Sequence, residues 1–243
     1  MTRTLTNNMS SPAHDFIESL NFVFPLLFES EDADFPYFCG GTCFAAIYRQ
    51  QLYLLTARHC IEEQRADPCI PGPDKRIFPI RQNFNVLPTP KDDVWTDICC
   101  FTTYSSEYWP ALEPNHVISI DELQTLEIDA DPFSALVIKG YPHFLTEVDA
   151  NKIVRKAGMH IGLYGGMASE SNCHIVDNLS PPITEPNGLS GSPVLKIDCL
   201  PGGNCFPTLL GMVVRGGKDC QILHFIGVNV ILKVILQLSK NES

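Results

Sequence analysis

The sequence predicts an all-β protein built from two β-barrels and ending in a helix. Short apolar runs rich in Val, Ile, Phe and Tyr recur along the 243 residues, interrupted by 19 prolines and 16 glycines. This is the pattern of strands joined by turns. Eleven such runs are too many for one small sandwich and suit two barrels. Helical spacing of apolar residues is clearest at 230–240, and a short helical turn is expected at 61–65.

The strands divide into two groups separated by a polar segment. The predicted strands are 22–28, 41–48, 51–56, 76–80, 97–103, 135–140, 160–164, 174–177, 193–197, 208–214 and 225–228. Segment 105–131 is polar and interrupted by proline, apart from a short apolar run at 117–120, which is typical of an interdomain connection. We therefore expect an N-terminal barrel in residues 1–115, a connection at 116–130, and a C-terminal barrel with the terminal helix in 131–243.

Composition and charge exclude several classes of protein. Hydrophobic residues make up 44% of the chain and charged residues 19%, which excludes an intrinsically disordered protein. A net charge of −11 provides no general attraction to nucleic-acid phosphates or anionic membranes. No apolar run reaches the roughly 18 residues that cross a bilayer. The N-terminus has no apolar signal segment, so we expect a cytoplasmic protein without a nucleic-acid or membrane partner.

The 10 cysteines leave two redox states open. An even number admits a disulfide framework. Without a visible secretory signal, however, reduced thiols are favoured, because disulfides persist mainly in oxidising compartments. A removed leader would reverse that preference.

Three separated segments carry residues for nucleophilic chemistry. His59 ends an apolar strand in Leu-Leu-Thr-Ala-Arg-His-Cys, Asp97 precedes another, and Ser190 lies in Asn-Gly-Leu-Ser-Gly-Ser-Pro. A serine hydroxyl becomes nucleophilic when an imidazole takes its proton, and a carboxylate fixes the tautomer of that imidazole. Glycines around the serine let backbone N–H groups turn toward a developing oxyanion. Together these residues predict acyl transfer by Ser190.

Neighbouring residues offer alternatives at two of these positions. An acidic pair at 92–93 lies close to Asp97, but Asp97 directly enters an apolar strand, where its neighbours are buried and the carboxylate lies at the base of a cleft. Ser192 is a second serine, but it is four residues from Gly188, which would misplace the oxyanion donor. Asp97 and Ser190 are therefore the predicted residues.

With the order His, Asp, Ser and the strings T-A-x-H-C and G-x-S-G-S-P, the chain resembles the chymotrypsin-like (trypsin-fold) serine peptidases. Among them it is most similar to bacterial and viral members, the HtrA-type and glutamyl endopeptidase-like protease domains. Segments 134–142, 211–216 and 227–230 extend the resemblance over about residues 20–240. It implies two antiparallel six-stranded Greek-key barrels, with His59 and Asp97 in the first and Ser190 in the second.

The resemblance also implies an activity. It implies a serine endopeptidase that hydrolyses peptide bonds through an acyl-enzyme, without cofactor or metal. The backbone N–H groups of Gly188 and Ser190 would form the oxyanion hole. Leu189 stands where animal trypsins carry the aspartate that pairs with a new amino terminus, so activation by that route is not expected.

Substrate specificity is less determined by the resemblance. It places the residues of the specificity pocket in three short segments: Thr184 and Glu185 on one wall, Val213, Val214, Arg215 and Gly216 on the other, and Gly227 near the entrance. The Glu185 carboxylate would favour a basic substrate side chain. Thr184 stands where trypsin-like pockets keep their aspartate, which leaves a small or apolar side chain as the alternative.

The resemblance also bears on the cysteines. Cys60 lies where secreted members have a bridge across the histidine loop, so in an oxidised chain Cys39 or Cys43 would be its partner. Cys199 with Cys205 is the second pair. Some viral relatives carry a structural zinc, for which cysteines 39, 43, 60 and 69 are candidates, but no C-x-x-C pair supports it.

Two other functions remain open on the same fold. One is a catalytically silent peptide-binding protein, which needs the cleft and not the complete set of His59, Asp97 and Ser190. The other is a protease held inactive until a partner protein orders the oxyanion loop, which Leu189 supports slightly. The expected partners are therefore a peptide or protein substrate and, in the second case, an activating protein.

Overall fold

Strands that are buried on both faces build two β-sheets that share a core. The computed structural model describes residues 11–31, 36–62, 64, 66–71, 77–80, 97–102, 117–120, 134–143, 146–149, 152–169, 173–183, 185–202, 204–217 and 221–241. Within these ranges the chain is mostly strand, with three helices. Among these residues no helix combines the length and apolarity needed to cross a membrane.

The first sheet comes from the N-terminal half of the chain. Its strands are β1 (Val23–Glu29), β2 (Tyr37–Tyr48), β3 (Gln51–Thr56), β4 (Pro68–Pro71), β5 (Ile77–Pro79) and β6 (Cys99–Thr102). They pair in the order β5-β4-β1-β2-β3-β6, and a further strand, β7 (Ile118–Ser119), pairs in parallel with β2. On β3, Leu54 faces the core of this sheet and Leu55 faces the core shared with the second sheet. Both faces are buried, which explains the continuous apolar run before His59.

The second sheet is a closed antiparallel barrel. Its strands are β8 (Ala135–Gly140), β11 (Gly158–Met167), β12 (Cys173–Ser180), β13 (Pro193–Cys199), β14 (Cys205–Gly216) and β15 (Leu223–Gly227). They close in the order β11-β12-β15-β14-β13-β8, while β9 (Thr146–Asp149) and β10 (Lys152–Arg155) form a separate hairpin. Closure leaves this barrel without an unpaired edge. The predicted all-β class with a C-terminal helix is thus confirmed.

Helices at both ends pack on the shared core. Helix α3 (Val228–Asn241) contributes Ile231 and Ile235, both fully buried. Helix α1 (Ser11–Ser19) is held by Lys139 of β8, whose Nζ donates to the carbonyls of Ile17 (3.1 Å), Glu18 (3.1 Å) and Leu20 (2.6 Å). A cation at a helix C-terminus satisfies carbonyls that have no partner within the helix. The N-terminal helix is therefore fastened to the second barrel, although it precedes the strands of the first sheet.

Most strand positions follow the prediction, with differences at element ends. Strands 51–56 and 135–140 have the predicted bounds. Helix α3 begins two residues before the predicted 230, and α2 (His59–Glu62) begins at His59 instead of 61. The prediction missed α1, β4, β7, β9 and β10, which are short elements with few apolar repeats to mark their period. The predicted domain boundaries, 115/116 and 130/131, lie outside the described residues.

Candidate active site

His59 is oriented by a carboxylate of the neighbouring strand. It follows the end of β3 and begins α2, while Asp97 lies two residues before β6, the strand paired with β3. The Nδ1 atom of His59 lies 2.6 Å from Oδ2 of Asp97, and the backbone N–H of His59 donates to Oδ1 at 2.9 Å. One carboxylate therefore holds both the ring and the main chain of His59, which leaves Nε2 as the nitrogen that faces away from Asp97.

The same contact controls the charge of the imidazole. The hydrogen bond to Asp97 is the largest cause that raises the pKa of His59, which reaches about 10, and a contact with the Cys60 thiol adds to it. Burial acts in the opposite direction. Because the imidazolium is favoured, a proton accepted by His59 is stabilised beside the Asp97 carboxylate, and the neutral form that can accept it becomes populated as pH approaches that pKa.

Ser190 lies in a loop that requires glycine on both sides. Gly188 has φ +90° and Gly191 has φ +87°, a region that residues with a Cβ rarely adopt. A Cβ on Gly188 would also collide with the carbonyl oxygen of Tyr141, and one on Gly191 with the carbonyl oxygen of Thr42. The glycines flanking Ser190 are thus needed both for conformation and for close packing.

Every peptide group from 187 to 191 has a fixed orientation. The carbonyl of Asn187 accepts from the N–H of His143 (2.9 Å), and the carbonyl of Leu189 accepts from the N–H of Ser192 (2.9 Å). Since C=O and N–H of a trans peptide point in opposite directions, the N–H groups of Gly188 and Ser190 are turned the other way. Neither donates a hydrogen bond to another described residue. Two oriented amides beside the serine are what an oxyanion hole consists of.

The contact between Ser190 and His59 is not formed in this structure. No hydrogen bond joins these two described side chains. Both residues instead touch Cys60, whose Sγ lies 3.7 Å from His59 Nε2 and 3.9 Å from the carbonyl oxygen of Ser190. Such hydrogen bonds are often long before substrate binds. The structure therefore brings His59 and Asp97 into contact and leaves Ser190 next to them, half-buried.

The predicted pocket residues differ in burial. Val213 and Val214 are buried, whereas Glu185 and Arg215 are exposed, and Thr184 lies outside the described residues. Val213 is adjacent to the serine loop, because its carbonyl accepts from the N–H of Gly191 at 2.8 Å.

Gly227, predicted near the entrance of the pocket, ends strand β15. It pairs with Gly211, far along β14 from Gly216, and the residue opposite Gly216 is Leu223. A Cβ on Gly216 would lie 2.5 Å from the Leu223 side chain and 2.8 Å from that of Pro186. Leu223 and Pro186, which the sequence did not single out, therefore flank Gly216.

The cysteines also differ from the expectation. The structure joins Cys199 to Cys205, which face each other across β13 and β14, and leaves Cys39, Cys43 and Cys60 as thiols. Cys39 is not bridged to Cys60 because Gly41 faces Cys60 in its place: a Cβ on Gly41 would lie 2.7 Å from Cys60 Sγ. Among the described residues no cluster of three His, Cys, Asp or Glu side chains could hold a metal ion.

Sequence reasoning missed the residues that support the serine loop. Thr42 holds it through its hydroxyl and its backbone N–H, and His143 through its backbone N–H, while the N–H of Tyr141 donates to the Thr42 hydroxyl. Thr42 and Gly188 are 146 positions apart, and backbone donors leave no mark in residue type. No sequence signal could have identified them.

Comparison with solved structures places the fold among serine proteases. Neuropsin, a serine protease expressed in the limbic system of mouse brain, superposes with a TM-score of 0.59 and 13% identity, over 91% of this chain and 95% of neuropsin. AL20, a thermostable serine protease from an extremophilic microorganism, gives a TM-score of 0.57 and 10% identity, over 88% of this chain and 95% of AL20. No protein-family model and no curated protein sequence matches the chain. At these identities the likeness shows that the chain has the chymotrypsin-like fold.

Proposed function

We propose that this protein is a serine endopeptidase whose catalytic residues are His59, Asp97 and Ser190. One observation carries the proposal. Asp97 binds both the ring and the backbone of His59, and the Cys60 thiol that touches His59 also touches the carbonyl of Ser190, in a loop whose peptide groups are held in fixed orientations. A purely structural His–Asp pair has no need for such a loop beside it.

The chemistry follows from these contacts. Ser190 Oγ attacks the carbonyl carbon of the scissile peptide while His59 Nε2 accepts its proton, and Asp97 stabilises the resulting imidazolium. The N–H groups of Gly188 and Ser190 donate to the oxyanion of the tetrahedral intermediate. The imidazolium then protonates the leaving amine. Water attacks the acyl-enzyme with His59 as base, which releases the acid product and restores Ser190.

We propose a small or apolar side chain at the specificity position of the substrate. Val213 and Leu223 are buried apolar residues beside the serine loop and Gly216, while the Glu185 carboxylate is exposed. A basic side chain needs a carboxylate within the pocket, and Glu185 does not have the burial of such a partner. Cleavage of a peptide library, read by mass spectrometry, tests this preference; predominant cleavage after Lys or Arg contradicts it.

A second candidate is the same enzyme held inactive until a partner protein or the substrate orders the site. The unformed Ser190–His59 hydrogen bond favours it, since the Cys60 thiol and not the serine hydroxyl contacts Nε2. We also propose that the enzyme is related to the HtrA-type and glutamyl endopeptidase-like protease domains, with the small or apolar preference given above in place of a glutamyl one, and acts on a peptide or protein in the cytoplasm.

A fluorophosphonate probe tests the proposed function without knowledge of the substrate. Intact mass is compared for the wild type, Ser190→Ala and the matched control Ser192→Ala, whose hydroxyl is fully buried. One adduct on the wild type and on Ser192→Ala, with none on Ser190→Ala, supports the proposal. An adduct that persists on Ser190→Ala shows a different nucleophile. No adduct on any protein contradicts constitutive activity, and labelling that appears with cell extract identifies the partner-activated case.

A further inference from the structure

Thr42 of the first sheet contacts the serine loop through its main chain and its side chain. It is fully buried in β2. Its backbone N–H donates to the carbonyl of Ser190 at 3.0 Å, and its hydroxyl donates to the carbonyl of Gly188 at 2.7 Å. The hydroxyl oxygen also accepts from the N–H of Tyr141 at 2.9 Å. A residue of one sheet thus fixes two carbonyls in the loop of the other.

The hydroxyl has only one arrangement that satisfies both of its partners. A threonine hydroxyl has a single hydrogen, which goes to the Gly188 carbonyl, so the Tyr141 N–H must be received by a lone pair. The carbonyl of Tyr141 is in turn the group against which Gly188 packs. Thr42 therefore holds Gly188 through the hydrogen bond to its carbonyl, and it holds Tyr141, against which Gly188 packs, through the hydrogen bond from the Tyr141 N–H.

This arrangement acts on the middle of the loop. The two candidate oxyanion donors, the N–H groups of Gly188 and Ser190, flank the peptide group that joins Gly188 to Leu189. The carbonyl of that peptide accepts from Thr42, and its N–H donates to Pro186 at 3.0 Å. The torsions on either side of this central peptide, ψ of Gly188 and φ of Leu189, set how the two flanking amides are oriented relative to each other. Valine has the shape of threonine but lacks one of the two hydrogen bonds that hold the central peptide.

We propose that Thr42 is a positioning residue, whose hydroxyl sets the directions of the Gly188 and Ser190 amides for the reaction. The inference rests on the proposed function. Thr42 does not reach the substrate and acts only through the loop. Because Thr42 belongs to the first sheet, the geometry of the oxyanion donors depends on how the two sheets pack together. His59 comes from the same first sheet.

The test compares Thr42→Val with Thr42→Ser. The second-order rate constant of fluorophosphonate labelling is measured for both, and unfolding in urea is followed for each. We expect Thr42→Val to label about 10- to 100-fold more slowly, as small displacements in an active site do, and Thr42→Ser to stay within about threefold of the wild type. With a peptide ester as substrate, the loss should fall on kcat more than on KM, because the amides act on the transition state.

Controls separate positioning from stability. Tyr164→Phe removes a buried hydroxyl that bonds His174 Nδ1 at 2.9 Å within the second barrel, so it lowers the stability and leaves the labelling rate unchanged. If Thr42→Val does not fold, Thr42→Ala, which also lacks the hydroxyl, replaces it. A wild-type rate in the valine or alanine variant overturns the inference, as does a serine variant as slow as valine. A wild type that is not labelled at Ser190 overturns the proposed function and this inference with it.

Discussion

Replacement of Gly41 by cysteine should create the disulfide that the wild type lacks beside His59. A Cβ on Gly41 lies 3.3 Å from the Cβ of Cys60 and 2.7 Å from its Sγ. Disulfides have Cβ–Cβ distances of about 3.5–4.5 Å, so a shift of a few tenths of an ångström suffices. The bond would close a loop of about 20 residues, which corresponds to about 3 kcal/mol of stabilisation and a rise in Tm of about 6–12 °C.

The sign of the effect should reverse when the bond is reduced. Without the bond, the same short distance is a steric overlap, which lowers the free energy of unfolding by about 1–3 kcal/mol. Thermal unfolding of Gly41→Cys is therefore measured with and without dithiothreitol. A Cys199→Ser, Cys205→Ser background ensures that the reductant acts on the new bond alone, and Gly41→Cys with Cys60→Ser is the matched control. Mapping of the new cysteine to Cys39 or Cys43, or equal Tm values in both states, would refute the geometry.

Four further predictions follow from the described contacts. Gly188→Ala should slow fluorophosphonate labelling by about 100-fold. The control Gly166→Ala has a similar φ (+89°), but its added Cβ would have no neighbouring atom within 4 Å, so it should reduce only stability. Equal labelling rates of the two variants contradict this prediction. Because Asp97 raises the pKa of His59 to about 10, the neutral imidazole becomes available as pH rises, and the labelling rate should increase through the alkaline range. Asp97→Asn should shift the midpoint of this pH–rate profile toward lower pH. An unshifted midpoint contradicts the prediction. The raised pKa also means that the His59–Asp97 pair contributes fully to the free energy of unfolding below the ordinary pKa of histidine. This contribution is lost as pH rises through about 10. Lys139→Met removes three hydrogen bonds to the end of α1. It should lower the free energy of unfolding in urea by about 1–3 kcal/mol and speed proteolysis within α1. Wild-type resistance to proteolysis would show that the helix is held by other contacts.

The parts of this protein that sequence could predict have a local physical cause. Strands β3 and β8 have the predicted bounds because apolar runs ended by turn residues mark them. Ser190 could be singled out because the conformation of its loop requires glycine at 188 and 191. The short helix α1 escaped prediction because its packing against Lys139 joins residues more than 110 positions apart.

By itself the sequence determined the all-β class with its C-terminal helix and the choice of His59, Asp97 and Ser190 as candidates, since each depends on residue type within a few positions. Only the tertiary structure decided which side chains face each other. Glycine 40 forms a bulge in β2 opposite β1, so that Cys39 pairs with Leu27 while Gly41 turns to Cys60. A shift of one residue in a strand exchanges its two faces. The position of Thr42 on the serine loop depends on the same register, and so does that of Leu223 opposite Gly216. Register is set by pairing between distant segments, which single-residue patterns do not contain.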